Sequence, residues 1–146
     1  MTDEITFDNT IDEVTLARIR KERERVMEHY DSAPGRFLEA WKQGVTKAGP
    51  RFFKTKEGYT PATVEAATDK WQLIPNWEYV NENIGVLSTG EKVFLATLCS
   101  FYNGDWGHQL IEEHGQGYVS VGDIANRLEL DESHIITQLM LNHTGW

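Results

Sequence analysis

Apolar positions are densest in residues 88–106, STGEKVFLATLCSFYNGDW. Ser88 and Glu91 have the spacing of a capping box, in which each side chain accepts a hydrogen bond from the other residue's backbone N–H. The apolar residues that follow fall on helical offsets and cover more than one face: Val93, Phe94, Leu95, Leu98, Cys99, Phe101 and Tyr102. The remaining arc is left to Lys92, Ala96, Thr97 and Ser100. We therefore predict a central helix buried by neighbours on several sides, with Asn103-Gly104 as a left-handed stop.

The N-terminal half carries three further helical patterns. Thr10 and Glu13 have capping-box spacing and open a predicted helix over 11–30, with Val14, Ile19, Val26, Met27 and Tyr30 as its apolar candidates. The Pro and Gly of residues 31–35, DSAPG, predict a turn before a second helix over 36–46. Residues 47–59 are typical of a loop. Thr60-Pro61 then predicts the start of a helix that ends near Trp71.

The C-terminal part is predicted to be helical as well. Asn76 is a candidate cap for a short helix, and Asp105 for a helix from Trp106 to about His114. After a brief extended piece near 118–121, residues 120–142 resemble a helix-turn-helix hairpin, with Ser120 and Asp123 capping the first helix and Asp131 the second. The predicted inward positions are Ile124, Ala125, Leu128, Leu130, Ile135, Ile136, Leu139 and Met140.

These patterns predict an all-α fold: a single compact multi-helix domain over residues 1–146, with six to eight helices around the buried central helix and residues 1–9 as a flexible tail. A chain of 146 residues buries enough surface on folding to need no disulfide or metal. The single cysteine, Cys99, excludes an internal disulfide. No basic residue lies close to it in sequence, which favours a buried reduced thiol over a nucleophile.

The net charge of −9 is placed unevenly along the chain. Residues 1–74 hold 12 Lys and Arg against 13 Asp and Glu, whereas residues 75–146 hold 2 against 10. The acidic C-terminal half is expected to repel the phosphates of nucleic acid and to attract a cationic surface of a partner. The candidate interaction residues are Asp123, Asp131 and Glu132, together with the aromatic cluster Trp71, Trp77 and Tyr79, because large flat side chains anchor interfaces as well as cores.

Two stretches suggest nucleic acid as an alternative ligand. Residues 18–25, RIRKERER, form a charged helical stretch that is either a solvated face or a basic stripe. The loop over 47–56 interleaves basic and aromatic residues as single-stranded nucleic-acid sites do, with Arg51, Phe52, Phe53, Lys54 and Lys56 as candidates. The competing interpretation is that both phenylalanines attach the loop to the core. DNA binding by the C-terminal hairpin is disfavoured, since residues 128–146 contain no Lys or Arg.

A metal site is the third possibility. His108 and Glu112 are four residues apart and so share one face of a helix. A catalytic zinc needs three protein ligands, and His114 lies off that face. The spacing is also common by chance on exposed helices. No cofactor is predicted.

The sequence contains none of the patterns G-x-S-x-G, P-loop, G-x-G-x-x-G or C-x-x-C. We therefore expect a non-enzymatic, acidic intracellular protein, a regulator or adaptor that binds a basic protein surface. Self-association is compatible with this, the basic first helix facing the acidic half of a second copy. The acidic N-terminus resembles no signal peptide, and no apolar run reaches the ~20 residues of a membrane helix. The expected location is the cytoplasm.

Overall fold

The computed structural model describes residues 10–58, 63–114 and 120–146, and the chain divides into two compact units, Met1–Ser32 and Ala33–Trp146. The prediction of an all-α fold is confirmed, because the described residues form six α-helices, three 3-10 turns and one two-stranded sheet. The helices are α1 Glu13–Ala48, α2 Trp77–Asn83, α3 Thr89–Tyr102, α4 Gly104–His114, α5 Val121–Arg127 and α6 Leu130–Asn142. The assignment of residues 1–146 to one domain stays a prediction, and the tail predicted over 1–9 lies outside the described residues.

The first unit contains the N-terminal part of α1. Its cap is Asp12 rather than the predicted Thr10, since the backbone N–H of Thr15 donates to Asp12 Oδ1 at 2.7 Å. This hydrogen bond holds the pKa of the Asp12 carboxyl below its usual value. Thr10 and Glu13 have the right spacing, but Asp12 lies directly before the first helical residue and carries a stronger acceptor.

The predicted turn over 31–35 is wrong, because α1 continues through Pro34 to Ala48. A proline inside a helix loses one backbone hydrogen bond and costs roughly 3 kcal/mol. Burial on the C-terminal side of Pro34 offsets this cost, since Phe37 and Trp41 are almost completely buried. The Ser32 hydroxyl also donates to Glu28 O at 2.8 Å. Packing has therefore overridden a local helix breaker.

The predicted central helix is α3, and its burial is confirmed. Ser88 and Glu91 form the capping box, and residues 93–99 are all buried. These buried residues include Ala96 and Thr97, which the apolar pattern had left to the remaining arc. The Thr97 hydroxyl is satisfied inside the helix, since it donates to Val93 O at 2.7 Å. Elements on several sides of α3 contact it: α4, α5, α6 and the short strand Ile74–Pro75.

The link from α3 to α4 is tighter than predicted. Asn103 has an extended backbone, with φ −147°, so it is not a left-handed stop. Its Oδ1 instead accepts hydrogen bonds from the N–H groups of Asp105 and Trp106, at 3.0 and 3.2 Å. Asn103 therefore caps α4, and the predicted cap Asp105 lies within the first turn. This arrangement lets α4 start one residue after α3 and pack directly against it.

Between α1 and α2 the chain is mostly irregular. The helix predicted to end near Trp71 is wrong over its described part, since residues 63–69 form turns and bends and Lys70–Gln72 a 3-10 turn. Polar side chains bond the local backbone here: Ala66 N donates to Thr63 Oγ1, and Thr68 N to Gln72 Oε1. The predicted start at Thr60-Pro61 lies outside the described residues.

Two short strands that the pattern missed, β1 Phe53–Lys54 and β2 Ile74–Pro75, pair antiparallel across this region. Phe53 lies opposite Pro75 and Lys54 opposite Ile74. Asn76 caps α2 as predicted, because its Oδ1 accepts from Tyr79 N at 3.3 Å. The sheet joins the end of the loop over 47–56 to the residues that lead into α2.

The C-terminal hairpin is present as α5 and α6. Ser120 and Asp123 form the predicted capping box, but α6 is capped by Glu129 with Glu132, and Glu129 lies two residues before the predicted cap Asp131. Ile135, Ile136 and Leu139 are buried as expected, whereas Leu130 and Met140 are wrongly placed in the core, being 73% and 64% exposed. The extended piece predicted near 118–121 is described only at its end, where Val121 begins α5.

The closest helix contact yields a first prediction. A Cβ atom at Gly107 of α4 would lie 2.3 Å from Ser100 Cβ and 2.7 Å from Ser100 Cα of α3. Because backbone atoms cannot move aside cheaply, we expect Gly107→Ala to lower the free energy of unfolding by about 1–3 kcal/mol or more. Urea unfolding, monitored by circular dichroism, measures this change in the free energy of unfolding.

The matched control is Gly104→Ala, since nothing lies within 4 Å of a Cβ at Gly104. Alanine there is expected to leave stability unchanged or to raise it by about 0.4–1 kcal/mol, through the lower entropy of the unfolded chain. Equal effects of the two substitutions would contradict a tight contact between α3 and α4.

Candidate functional site

The most distinctive surface of the second unit is acidic. Of the ten Asp and Glu residues in 75–146, all but Glu132 are exposed. The two basic residues of this stretch, Lys92 and Arg127, are partly buried. The charge imbalance read from the sequence is thus carried by side chains that face solvent. We call these nine exposed carboxylates the acidic surface: Glu78, Glu82, Glu91, Asp105, Glu112, Glu113, Asp123, Glu129 and Asp131.

Two of the predicted interaction residues, Asp123 and Glu132, take part in the N-terminal caps of helices. Asp123 Oδ2 accepts from both the backbone N–H and the hydroxyl of Ser120, at 3.0 and 2.9 Å, and the backbone bond holds its pKa below the usual value. Glu132 accepts from Glu129 N at 2.9 Å and is only 5% exposed. Burial raises the pKa of Glu132. These carboxylates cap α5 and α6, so their removal would disturb the fold as well as the surface.

Asp131 is the predicted interaction residue best placed to meet a partner. It is exposed in the first turn of α6 and lines a cleft of about 640 Å³. The opposite wall of this cleft comes from the C-terminal part of α1, with Glu39 and Lys47 among its residues. Lys47 Nζ lies 3.2 Å from Glu129 Oε2, and this contact raises the pKa of Lys47. The cleft therefore carries charges of both signs, with Asp131 at its α6 edge.

The three predicted aromatic residues do not form one cluster. Trp77 stacks on Trp106 of α4 with ring centroids 4.7 Å apart. Tyr79 lies edge-on to Phe52 at 5.5 Å. Trp71 is 42% exposed and contacts other rings. Trp77 and Tyr79 therefore pack between elements, and Trp71 alone of the three presents much of its ring to solvent.

A larger aromatic cluster, which the sequence interpretation missed, surrounds Trp146. The rings of Trp41 and Tyr102 lie 4.7 and 5.2 Å from it. Lys70 Nζ lies 5.0 Å from the Trp146 ring centroid and donates to Gly145 O. Burial lowers the pKa of Lys70, and Trp146 Nε1 is buried without a hydrogen-bond acceptor among the described residues. No local pattern links residues this far apart in sequence.

The loop over 47–56 is attached to the core by its aromatic rings. Phe52 and Phe53 are completely buried, so neither ring is available to stack on a base. The basic candidates lie outside the core: Arg51 and Lys56 are exposed and Lys54 is partly so. Lys56 Nζ lies 5.9 Å from the ring centroid of exposed Trp71, beside a cleft of about 360 Å³. Of the three basic candidates, Lys56 thus lies beside an exposed ring, that of Trp71, whereas Arg51 lies over the buried ring of Phe52.

His108 and Glu112 lie together on the exposed face of α4, with Nε2 and Oε1 3.5 Å apart. Within the described parts of the chain, no three His, Cys, Asp or Glu residues are grouped so that they could hold a metal ion. Cys99 is completely buried, and burial raises the pKa of its thiol to about 12. This thiol is therefore protonated at neutral pH.

No protein-family model, curated protein or solved structure matches the chain significantly. None of the described helices combines the length and the apolar character that a bilayer span requires.

The buried cap of α6 gives a pH-dependent prediction. Burial raises the pKa of the Glu132 carboxyl in the folded state, so folding favours the protonated carboxyl. The contribution of this protonated group to the free energy of unfolding is fully present below about pH 4.5, and it is lost as the pH rises through the raised pKa. Glutamine keeps the acceptor that the cap requires and carries no charge. We expect Glu132→Gln to be more stable than the native chain at pH 7 and equally stable near pH 4.

Urea unfolding at several pH values between 4 and 8 checks this expectation. Asp131→Asn is the matched control, since it removes a neighbouring carboxylate that is exposed. A stability difference between Glu132→Gln and the native chain that does not change with pH would contradict the assignment of a buried, titrating carboxyl.

Proposed function

We propose that the protein is non-enzymatic and acts through protein–protein interaction, as a regulator or adaptor whose acidic surface binds a cationic surface of its partner. The observation that supports this proposal is the exposure of nine of the ten carboxylates in residues 75–146, with both basic residues of that stretch partly buried. A surface of one sign attracts and orients a partner of opposite sign. A cytoplasmic location belongs to the same proposal.

The carboxylates that hold helix ends contribute charge to this surface but are poor sites for direct contact. Glu91 and Asp123 complete capping boxes, and Glu129 pairs with Lys47. Glu112 and Glu113 of α4 and Asp131 of α6 are exposed and hold no helix end. Glu78, Glu82 and Asp105 are likewise exposed and complete no capping box. Contact with a partner is therefore made within this group of six carboxylates, where a bound Lys or Arg side chain would disturb no capping bond.

A charge-matched pair of variants tests the proposal. The surface variant carries Glu112→Gln, Glu113→Gln and Asp131→Asn, and the control variant carries Glu24→Gln, Glu57→Gln and Glu65→Gln, which are exposed residues outside 75–146. Both remove three negative charges without touching a cap. We expect the surface variant to lose most partner binding and the control variant to keep it, because the contact depends on where the charges lie.

The measurement is an affinity pull-down from the source cells, with the lysate divided into nuclease-treated and untreated halves. A stoichiometric protein band should survive nuclease treatment and weaken as salt concentration rises. A band of equal intensity with both variants would contradict the acidic surface as the binding site. Material that disappears with nuclease would favour nucleic acid instead.

A second candidate function, binding of single-stranded nucleic acid, is favoured by one observation: Lys56 lies beside the exposed ring of Trp71. Such sites combine a cation for the phosphate with a ring for base stacking. The buried Phe52 and Phe53 have no part in this version. It differs from the first proposal in its surface and its ligand.

For this candidate we expect Trp71→Ala to weaken binding of a labelled oligonucleotide by about 1–3 kcal/mol, the usual contribution of one stacked base. Fluorescence anisotropy at low salt measures it. Lys56→Gln should also weaken binding, whereas Lys92→Gln, a partly buried lysine of α3, should not. Absence of binding by the native chain at low salt would remove nucleic acid as a ligand.

A further inference from the structure

The first unit carries a largely apolar seam along α1 that is exposed over its second half. Leu16, Ile19, Arg23, Val26 and Tyr30 are separated by three and four residues in turn, the spacing of alternate a and d positions in a coiled coil. Val26 is 41% and Tyr30 61% exposed, and Met27 beside them is 65% exposed. An apolar seam of this spacing is the part of a helix that a neighbouring helix normally covers.

The same spacing continues along α1 through Ala33, Phe37, Ala40 and Gly44, and these four residues are buried in the second unit. The seam is therefore covered over its C-terminal part, partly buried at Leu16 and Ile19, and exposed at Arg23, Val26 and Tyr30. An isolated helix of this length is marginally stable in water, since most helix stability comes from burying an apolar face. Exposed ion pairs such as Glu22–Arg25, at 2.5 Å, add little stability, because solvent screens their charges.

The order of charges along this stretch indicates what covers the seam. Residues 18–25 hold five basic and two acidic residues, whereas residues 26–32 hold Glu28 and Asp31 and no Lys or Arg. A parallel, in-register copy would place the basic segment against itself, with Arg23 facing Arg23 at the centre. An antiparallel copy places the basic segment of each helix against the acidic segment of the other.

We propose that residues 17–32 of α1 form an antiparallel two-helix coiled coil with the same residues of a second copy, about a two-fold axis between Glu24 and Arg25. In this register Ile19 lies opposite Tyr30 of the second copy, and Val26 opposite the aliphatic part of Arg23. Arg20 lies beside Met27 and Asp31 of the second copy. The contact is isologous and buries the seam. In it, apolar positions of one copy face apolar positions of the other, and the basic segment faces the acidic segment.

This interface is separate from the acidic surface of residues 75–146, so the failure of one proposal leaves the other standing. It also differs from the contact expected from charge alone, in which the basic helix faces the acidic half of a second copy.

The first test is the solution mass of the full chain by sedimentation velocity and multi-angle light scattering across a concentration series. We expect a concentration-dependent species of twice the 16.7 kDa chain mass. Val26→Glu should raise the dimer dissociation constant at least roughly tenfold, because it places a charge inside the seam. The control is Val14→Glu, the same substitution at a valine that is 81% exposed and lies on the opposite face of α1.

Both valines are exposed, so neither substitution removes a core contact, and circular dichroism checks that the fold is kept. A second pair of variants tests the register. Arg20→Glu should weaken the dimer, and the double variant Arg20→Glu with Asp31→Arg should restore it, because the charges are then exchanged across the interface.

Spin labels distinguish the two helix directions. Ala17→Cys and Glu24→Cys place labels at equivalent heptad positions, and native Cys99 is buried. In the antiparallel dimer the two labels at 17 are offset along the axis by roughly 22 Å and those at 24 by roughly 1.5 Å. The distance between the two labels, measured by pulsed electron–electron double resonance, should therefore be clearly longer for position 17 than for position 24.

Equal distances at the two positions would indicate a parallel pair and overturn the proposal. A dimer that Val26→Glu leaves intact would place the contact elsewhere and also overturn it. A chain that stays monomeric at high micromolar concentration would also overturn the proposal. This holds even if the seam then binds an acidic helix of another protein.

Discussion

The burial of α3 on several sides is the constraint on which the rest of Ala33–Trp146 depends. Residues 93–99 are buried without interruption, so this helix has no broad polar face and its neighbours must cover it closely. Gly107 allows α4 to approach the backbone of Ser100, and Gly44 allows α1 to approach Leu98. Gly90 has the same effect near the end of α5, where a Cβ would lie 3.0 Å from Arg127 O. Small residues at helix crossings are therefore as important to this core as its large apolar ones.

The carboxylates of the C-terminal half have two different uses. Glu91, Asp123 and Glu132 accept hydrogen bonds from backbone N–H groups at the starts of α3, α5 and α6. A negative charge at the start of a helix also interacts favourably with the helix dipole. Six others cap no helix and face solvent: Glu78, Glu82, Asp105, Glu112, Glu113 and Asp131. The net charge alone does not separate these two groups. Their separation explains why the proposed partner contact centres on the second group, although Asp123 and Glu132 were equally good candidates by sequence.

Helix α1 shows how one face of a helix can serve two purposes. Beyond Ser32 its seam is buried with the core of the second unit, and Trp41 Nε1 donates to Leu73 O at 2.8 Å there. Before Ser32 the seam is exposed at Val26 and Tyr30, and the charges of this stretch are ordered so that an antiparallel copy would match them. A single helix would then join the protein's own core to an interface between copies.

Features that depend on residues close together in sequence were predictable: the all-α class, the capping boxes at Ser88 and Ser120, and the apolar character of α3. Capping and helical periodicity act within about one or two turns, so a short stretch carries all the information they need. The continuation of α1 through Pro34, the cluster around Trp146 and the burial of Glu132 were not predictable. Each depends on contacts between residues far apart in the chain, such as Lys70 with Gly145, and the energy of that packing outweighs local preference. The candidate site divides in the same way: sequence located the negative charge, and tertiary structure decided which carboxylates were left to face a partner.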